Sequence, residues 1–308
     1  MDSNKYDSKV QLLLLVLPII NEYPQVALKG GTAINLFVQD MPRLSVDIDL
    51  VYLKVEDRAA TFRNIEEVLH NIAIKLNAIK NINAKIIDDK EILKILISND
   101  IAQIKLEVNY VTRGVLYDCF NLPLCKAASE KFQFEYSVRI VSLCDLYAGK
   151  VCAALSRKHP RDLFDIKLML ENSTVKFDEE FMDAVVVYLA SSNKAFYDLL
   201  DKKQNYIDFE KAFENNFVGM TNLTVTINDL TQANQILIDK IHASLTDAHK
   251  DFILSLANGE PDWSLINIPK INELPGITWK LKNIIKYKNL TPQKHQEDMR
   301  KLREEIFK

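Results

Sequence analysis

The sequence predicts an α+β fold, in which a mixed α/β region is followed by a helical bundle. Two segments, Ser45–Leu53 and Ile101–Val111, alternate apolar and polar residues, and this period of two is typical of strands. From Ser142 onward the apolar residues recur at helical spacing almost without interruption. Glycine is scarce, with 7 residues in 308, which favours helices over a turn-rich β-sandwich.

The length of 308 residues is enough for two domains of ordinary size. Polar residues cluster over 172–176, and we place the domain boundary there. The prediction is a mixed α/β domain over residues 1–174 and a helical domain over residues 175–308.

Local spacing and turn signals predict the individual elements. In chain order, those of the first domain are a helix over 11–21, a strand over 26–28, a helix over 33–38, a strand over 45–53, a helix over 58–76, strands over 85–88, 92–97 and 101–111, and a helix over 142–155. In the second domain, apolar stripes predict helices over 177–187, 194–200, 229–241 and 245–256.

Composition excludes several classes of protein. A formal net charge of -3 gives no whole-chain sign of a nucleic-acid binder. The 4 cysteines show neither metal-ligand spacing nor the density of a secreted scaffold, which indicates reduced thiols. The longest apolar run, Leu12–Ile20, contains Pro18 and is too short to span a bilayer. We therefore predict a cytoplasmic protein without a membrane segment or signal peptide.

The clearest candidate site is a set of polar residues on one face of a predicted strand. Arg43, Ser45, Asp47 and Asp49 recur at every second position, so a strand places them on the same face. Adjacent carboxylates repel each other, and a bound cation offsets that repulsion. Mg²⁺ prefers such oxygen ligands and completes its shell with phosphate oxygens. Glu107 has the matching parity in the other alternating strand, and we predict it as a third ligand of a two-metal site.

A glycine pair precedes these acids. Gly30 and Gly31 stand between a predicted strand and a predicted helix, where backbone N–H groups can hold phosphates. Taken alone, an Asp-x-Asp pair is more often a solvated strand face, and a Gly-Gly pair is often a plain turn. The combination of glycine turn, aspartate pair and third acid favours a site for a metal and a nucleotide.

A second polar cluster lies in the helical region. Lys150 falls in the middle of an apolar helix face. One interpretation is that its side chain runs along the surface to reach solvent. The other is that it points into a cleft, where its ammonium neutralises triphosphate charge. The spacing leaves both interpretations open.

Asp162 and Asp165 lie one turn apart in a helix that Pro160 is suited to begin. Acids in a first turn complement the helix dipole, which explains Asp162 better than Asp165. In the functional interpretation, one of the two orients Lys150 or the nucleophile. A positive rim would then come from Arg157, Lys158 and Arg161.

The segment 277–308 is basic, with nine Lys/Arg against four Asp/Glu. Its mixture of basic and aromatic side chains is typical of an RNA-binding face, and a solvated helix at the chain end is the alternative. These side chains are Trp279, Lys280, Lys282, Lys286, Tyr287 and Lys288.

Together, the motifs resemble the AbiEii-type nucleotidyltransferase toxin family of type IV toxin–antitoxin and abortive phage-infection systems. The residues that carry the resemblance are Leu28-Lys29-Gly30-Gly31-Thr32-Ala33, Arg43-Leu44-Ser45-Val46-Asp47-Ile48-Asp49-Leu50, Lys105-Leu106-Glu107-Val108-Asn109, Lys150 and Arg161-Asp162-Leu163-x-Asp165. Farther along, residues 259–263 and 278–283 resemble the C-terminal helical domain of the family.

The resemblance implies a DNA polymerase β-like nucleotidyltransferase domain followed by a helical bundle. We accordingly predict Mg²⁺, or Mn²⁺ in its place, as the cofactor. The predicted metal ligands are Asp47, Asp49 and Glu107. The predicted catalytic residues are these three together with Lys150 and Asp162. The predicted nucleotide-binding residues are Lys29, Gly30, Gly31, Thr32, Arg43, Ser45, Lys150, Arg161 and Asp165.

The expected reaction is the transfer of a nucleoside monophosphate from GTP or a pyrimidine nucleoside triphosphate to an RNA acceptor, the tRNA 3′ end. The expected partner is a cognate antitoxin that acts as a transcriptional repressor. Two alternatives are transfer to a protein side chain and binding of a nucleoside triphosphate without transfer.

Overall fold

The computed structural model describes residues 3–89, 92–203 and 205–307. By packing, the chain divides into two compact units. The first unit comprises Met1–Ser142 and Val218–Thr224, and the second comprises Leu143–Phe217 and Val225–Lys308. Lys308, the last residue of the predicted basic segment, lies outside the described residues.

The first unit combines a mixed sheet with helices. Its elements are α1 (Ser3–Asn21), β1 (Val26–Lys29), α2 (Gly30–Ala33), a π-helical turn (Ile34–Val38), β2 (Asp47–Tyr52), α3 (Arg58–Asn77), β3 (Asn83–Asp89), β4 (Ile92–Ser98), β5 (Gln103–Asn109), β6 (Phe120–Pro123), α4 (Lys126–Phe132) and β7 (Ser137–Ile140). The seven strands formed by the described residues lie in the order β3-β4-β5-β2-β1-β7-β6. β2 pairs antiparallel with β1 and parallel with β5, so the predicted mixed sheet is confirmed.

The two alternating segments are the central strands of this sheet. Ile48 and Leu50 of β2 and Leu106 of β5 are at most 1% exposed, because they face the core. Helices α1 and α3 pack in this unit, α1 against β5 and α3 against β3 and β4. Asp47 and Asp49 alternate with these apolar residues and are half-buried. The period of two thus separates a core face of the sheet from a face that carries the acids.

All the regular elements that the described residues of the second unit form are helices or helical turns. Its elements are α5 (Leu143–Arg157), α6 (Pro160–Glu171), α7 (Glu179–Ala190), α8 (Phe196–Leu200), α9 (Phe209–Asn216), α10 (Ile227–Ser244), α11 (Asp247–Ala257), 3₁₀ turns at Trp263–Leu265 and Ile271–Glu273, α12 (Pro275–Leu290) and α13 (Pro292–Ile306). Side-chain caps fix several helix starts: Asp178 accepts from Phe181 N, and Thr226 and Thr246 form capping boxes.

The predicted boundary between residues 174 and 175 does not coincide with this division. Helices α5 and α6 precede that boundary but belong to the second unit. The reason is packing, since α5 lies against α7 and α6 lies against α10. The polar cluster over 172–176 marks the turn after α6, because turns on the surface favour polar residues. It does not mark the boundary between the two units.

Other differences concern short elements. The spacing does not predict β6, α4, β7 or α9, each at most eight residues long. α1 begins at Ser3, earlier than predicted, and β2 is shorter than the predicted strand at both ends. Among the described residues, every helix falls short of the length or hydropathy that crossing a membrane demands.

Candidate active site

The carboxylate of Asp49 faces the glycine turn that begins α2, directly after β1. A Cβ atom added to Gly30 would lie 2.6 Å from Asp49 Oδ2, which is closer than contacting atoms allow. Gly30 also has φ +72°, a left-handed conformation that favours glycine. The sequence therefore needs glycine at position 30 for both the turn and the approach of the carboxylate.

Gly31 makes a second close approach at the same corner. A Cβ atom there would lie 2.6 Å from Arg43 Nη2 and 3.1 Å from Ser45 Oγ. The Arg43 and Ser45 side chains are only 3% and 6% exposed. Arg43 and Ser45, predicted to share one strand face, thus both lie next to the glycine pair, and their nucleotide-binding role stays a prediction. Because both residues are buried, they pack against the glycine turn on its protein side.

Two buried polar side chains fix the shape of this corner. The hydroxyl of Thr32 donates to the backbone carbonyl of Asp47 at 2.5 Å and lies 3.0 Å from Ser45 Oγ. Asn35 donates from Nδ2 to the carbonyl of Gly31 at 2.9 Å. A role for Asn35 was not predicted from the sequence. A single amide inside the apolar run 34–38 is nevertheless a sign of a buried side chain that needs a hydrogen bond.

A row of charged residues crosses the sheet face at Asp49. In the pairing of β1, β2 and β5, Lys29 is opposite Asp49, and Asp49 is opposite Glu107. On the far side of β5, Lys94 of β4 is opposite Glu107. Directly opposite residues point to the same face of a sheet, so the signs along this row are positive, negative, negative and positive. This register places Glu107 on the strand next to Asp49, as predicted, and its role as a third metal ligand stays a prediction.

Glu107 also forms an ion pair within its own strand. Its Oε2 lies 3.0 Å from Lys105 Nζ, and both side chains are 38% exposed. No group of three or more His, Cys, Asp and Glu side chains in the described part of the chain is close enough to hold a metal ion. Asp47 and Asp49 remain as a pair of carboxylates on one face. This donor set fits Mg²⁺, which proteins often hold by one or two carboxylates together with substrate phosphates.

The loop before β2 is held by a segment that is distant in the sequence. Leu44 N donates to the carbonyl of Met220 at 2.7 Å, and the Thr221 hydroxyl donates to the carbonyl of Pro42 at 2.7 Å. These bonds flank Arg43, so residues 218–224 stabilise the loop that carries it. Local spacing gave no sign of this role, because more than 170 residues separate the partners.

In the second unit, Lys150 of α5 lies between two aspartates of α6. Its Nζ is 2.9 Å from Asp162 Oδ1 and 2.9 Å from Asp165 Oδ2. The three residues are at most 6% exposed. The interpretation that Lys150 reaches solvent is therefore wrong, because its ammonium is buried between two carboxylates. The cause of this burial is that α5 and α6 pack directly against each other. The role of an aspartate in orienting Lys150 for catalysis stays a prediction.

Arg157 completes this ion cluster. Its Nε donates to Asp162 Oδ2 at 2.7 Å, and its Nη2 lies 3.1 Å from Asp162 Oδ1. Burial alone would raise the pKa of Asp162, but Lys150 and Arg157 outweigh burial and hold the pKa well below its usual range. Asp162 is therefore a carboxylate at neutral pH, and its charge is balanced inside the protein.

The remaining residues of the predicted rim differ in their surroundings. Lys158, with φ +50°, lies between α5 and α6, and its Nζ is 3.3 Å from the carbonyl of Asn205. Arg161 is half-buried in the first turn of α6, where its backbone N–H donates to His159 Nδ1 at 3.2 Å. Pro160 occupies the first position of α6, as predicted. Arg157 thus pairs with the Asp162 carboxylate, whereas the Lys158 ammonium approaches a backbone carbonyl and the Arg161 backbone N–H bonds to His159 at the start of α6.

The comparisons with known proteins first define a class. Among solved structures, the chain is similar to MenT4, a nucleotidyltransferase toxin from Mycobacterium tuberculosis H37Rv, with 12% identity and a TM-score of 0.62. The match covers 92% of this chain and 93% of that chain. At this identity the likeness shows the fold, which is that of a nucleotidyltransferase. A search of curated proteins gave no match.

The family follows from the sequence match. Residues 12–283 match the family described as nucleotidyl transferase AbiEii toxin, type IV TA system. Because this match covers most of the chain, the protein belongs to the AbiEii family and is a nucleotidyltransferase toxin of a type IV toxin–antitoxin system. Membership implies a cognate antitoxin. The resemblance predicted from the motifs is thereby confirmed.

Proposed function

We propose that the protein transfers a nucleoside monophosphate from a nucleoside triphosphate to the 3′ hydroxyl of an RNA, with tRNA as the acceptor and Mg²⁺ as the cofactor. The observation that carries this proposal is the approach of Asp49 Oδ2 to the glycine turn, where a Cβ at Gly30 would lie 2.6 Å away. A carboxylate pair and a turn with glycine backbone thus share one corner of the sheet.

The corner suits a triphosphate for physical reasons. Small glycines let phosphate oxygens come close to backbone N–H groups at the start of α2. Lys29, opposite Asp49 in the β1–β2 pairing, adds a positive charge on the same face. The buried side chains of Thr32 and Asn35 hold the turn in place, so little reorganisation is needed when the substrate binds.

Asp47 and Asp49 are the residues that would hold the metal, and Glu107 is the proposed third acid. When bound, Mg²⁺ neutralises charge on the phosphates and on the attacking oxygen. In the reaction, the acceptor oxygen forms a bond to the α-phosphorus, the bond from that phosphorus to the β-bridging oxygen breaks, pyrophosphate leaves, and the hydroxyl proton passes to solvent.

Neither family membership nor the geometry of the site identifies the donor nucleotide. We propose GTP or a pyrimidine nucleoside triphosphate, on the basis of the family resemblance. The positive charge of Lys29 and the backbone of Gly30 and Gly31 act on the phosphates, which all donors share. On the basis of the family resemblance, Lys150 and Asp162 keep a proposed catalytic role, and Lys150, Arg161 and Asp165 keep a proposed role in nucleotide binding.

The test is a labelling experiment with the full chain. Total RNA and total protein are incubated with the toxin, Mg²⁺ and each of the four α-³²P-labelled nucleoside triphosphates in turn. We expect ribonuclease-sensitive label in the tRNA band with one or two donors. Label in protein would replace RNA by a protein side chain as acceptor, and label in neither would overturn the transfer reaction.

A further inference from the structure

Two adjoining pockets lie in the second unit, around the hairpin of α12 and α13. The first, which we call the aromatic pocket, has a volume of about 440 Å³, and the second, the basic pocket, about 550 Å³. His295 and Met299 line both pockets, so the two are neighbours. Volumes of this size are typical of sites that hold a group as large as a nucleotide.

The aromatic pocket offers ring faces and a fixed polar edge. Its lining includes Phe196, Tyr197, Trp279, Asn283, Tyr287 and Asp298. Trp279 is 49% exposed, which is unusual for the largest apolar side chain and leaves its indole open to contact. Tryptophan and tyrosine faces stack with nucleobases of any sequence.

Asp298 provides the polar edge. The hydroxyl of Tyr287 donates to Asp298 Oδ2 at 2.7 Å, and Tyr197 also forms a side-chain hydrogen bond with Asp298. A carboxylate accepts up to about four hydrogen bonds, so this fixed group can still accept from an amino group of a base. The amide of Asn283 can both donate and accept at the same edge.

Lys280 does not have the role that its position in a basic and aromatic sequence indicated. It is 8% exposed, and its Nζ donates to the carbonyls of Ser192 at 2.8 Å and Lys194 at 2.5 Å. Burial lowers the pKa of Lys280 to about 8. Lys280 therefore joins α12 to the end of α7 and forms part of the pocket wall, and the charge for a phosphate has to come from other residues.

The basic pocket supplies that charge through Lys288, Arg300 and Arg303. Lys288 pairs with Glu260 at 3.1 Å, and Arg300 pairs with Glu304, both on the surface. Exposed pairs of this kind contribute little to stability, so a phosphate can replace the carboxylate at little cost. Within the described residues, the guanidinium of Arg303 has no carboxylate partner.

We propose that these two pockets bind single-stranded RNA, with one unstacked base in the aromatic pocket and the adjacent phosphate in the basic pocket. The inference rests on the RNA acceptor of the proposed function and adds a docking site for it. A ring-lined pocket next to a cationic pocket suits single-stranded nucleic acid, because its bases are free to leave the stack and its backbone carries the charge.

The test measures binding without turnover. In the full chain carrying Asp49→Asn, affinity for a fluorescein-labelled single-stranded RNA dodecamer is measured by anisotropy at several salt concentrations. We expect Trp279→Ala to weaken binding by about tenfold. Arg303→Ala should weaken binding and reduce the slope of log affinity against log salt by about 0.7.

Lys286→Ala is the matched control, because Lys286 is exposed on the same helix and lines neither pocket. It should change affinity less than twofold at physiological salt. Equal losses for Lys286→Ala and Arg303→Ala would overturn the site in favour of diffuse charge, as would wild-type affinity of Trp279→Ala. Trp279 and Arg303 are exposed, and thermal unfolding of each variant verifies that the fold is retained.

The two proposals can fail separately. A protein that labels tRNA but binds the dodecamer independently of Trp279 and Arg303 overturns the docking site and leaves the transfer reaction in place. A protein that binds the dodecamer through both residues but labels no RNA supports the docking site and overturns the acceptor of the proposed function.

Discussion

Asp49 in the first unit and Asp162 in the second are both aspartates with lysine in their surroundings, but their environments differ. Asp49 is half-buried on a sheet face beside a glycine turn. Asp162 is 3% exposed and receives hydrogen bonds from Lys150 and Arg157. Under the proposed function, the acids of the first unit act on a ligand, whereas the charges in the cluster of the second unit pair with one another. Substitutions of the acids in the first unit should therefore mainly lower activity. Substitutions in the ion cluster of the second unit should first lower stability.

The largest expected effect comes from Asp49→Asn. The amide keeps the shape of the side chain but removes the charge that holds a metal, and we expect nucleotidyl transfer to fall by roughly 10³-fold. Thermal unfolding should change little, because the side chain is half-buried. Asp100→Asn, at an exposed position between β4 and β5, is the control. Activity within tenfold of wild type would remove Asp49 from the site.

The next effect is on stability, through Lys150→Met. Removing the ammonium leaves buried carboxylates without their partner, and such losses cost about 3–5 kcal/mol in the free energy of unfolding. Lys167→Met is the control, because Lys167 pairs with Glu171 on the surface of α6 and should contribute less than about 1 kcal/mol. Urea unfolding measures both variants.

A double variant sharpens the second test. Lys150→Met with Asp165→Asn removes one positive and one negative charge, so it should recover part of the lost stability. Loss of transfer in Lys150→Met at unchanged stability would contradict the expected difference between the two units. It would show that Lys150 acts on the nucleotide.

Gly30→Ala should have an intermediate effect. The left-handed backbone costs a non-glycine residue about 1–2 kcal/mol, and the new methyl displaces the Asp49 carboxylate. Gly219→Ala shares the positive φ, but its methyl would meet only Tyr6 at 3.9 Å. We expect the two variants to have comparable melting temperatures and only Gly30→Ala to lose more than tenfold in transfer rate. That result would show that the loss comes from the contact with the Asp49 carboxylate. Equal rates in the two variants would contradict it.

The smallest effect is expected for Glu107→Gln. If Glu107 is a third acid for the metal, the Mg²⁺ concentration for half-maximal activity should rise by about tenfold, with little change in stability. Lys105→Met removes the same ion pair but leaves the carboxylate. The same shift in both variants would show that Glu107 acts only through Lys105.

The sheet and its acids could be predicted because their signals are local. Alternation along 47–52 and 103–109 gives both the strands and the faces of Asp49 and Glu107. The need for glycine at position 30 follows from a turn that a short sequence motif encodes. The alternation and the glycine motif are read from neighbours within a few residues, whereas the approach of Asp49 to Gly30 and its pairing opposite Glu107 are not.

Long-range packing could not be predicted in the same way. The sequence spacing of Lys150 fits a surface lysine as well as a buried one, and only the position of α6 decides between them. Lys280 was placed with exposed basic residues, although it shares the buried side of α12 with Ile277. The assignment of α5 and α6 to the helical unit likewise depends on helices that come later in the chain.

The return of Val218–Thr224 to the first unit has a consequence for how this protein can be divided. The chain passes from one unit to the other after residues 142, 217 and 224. A fragment that ends at residue 142 would lack the acceptor for Leu44 N and the donor to the Pro42 carbonyl. No single cut yields either half complete, and an exchange of halves between relatives would need three junctions.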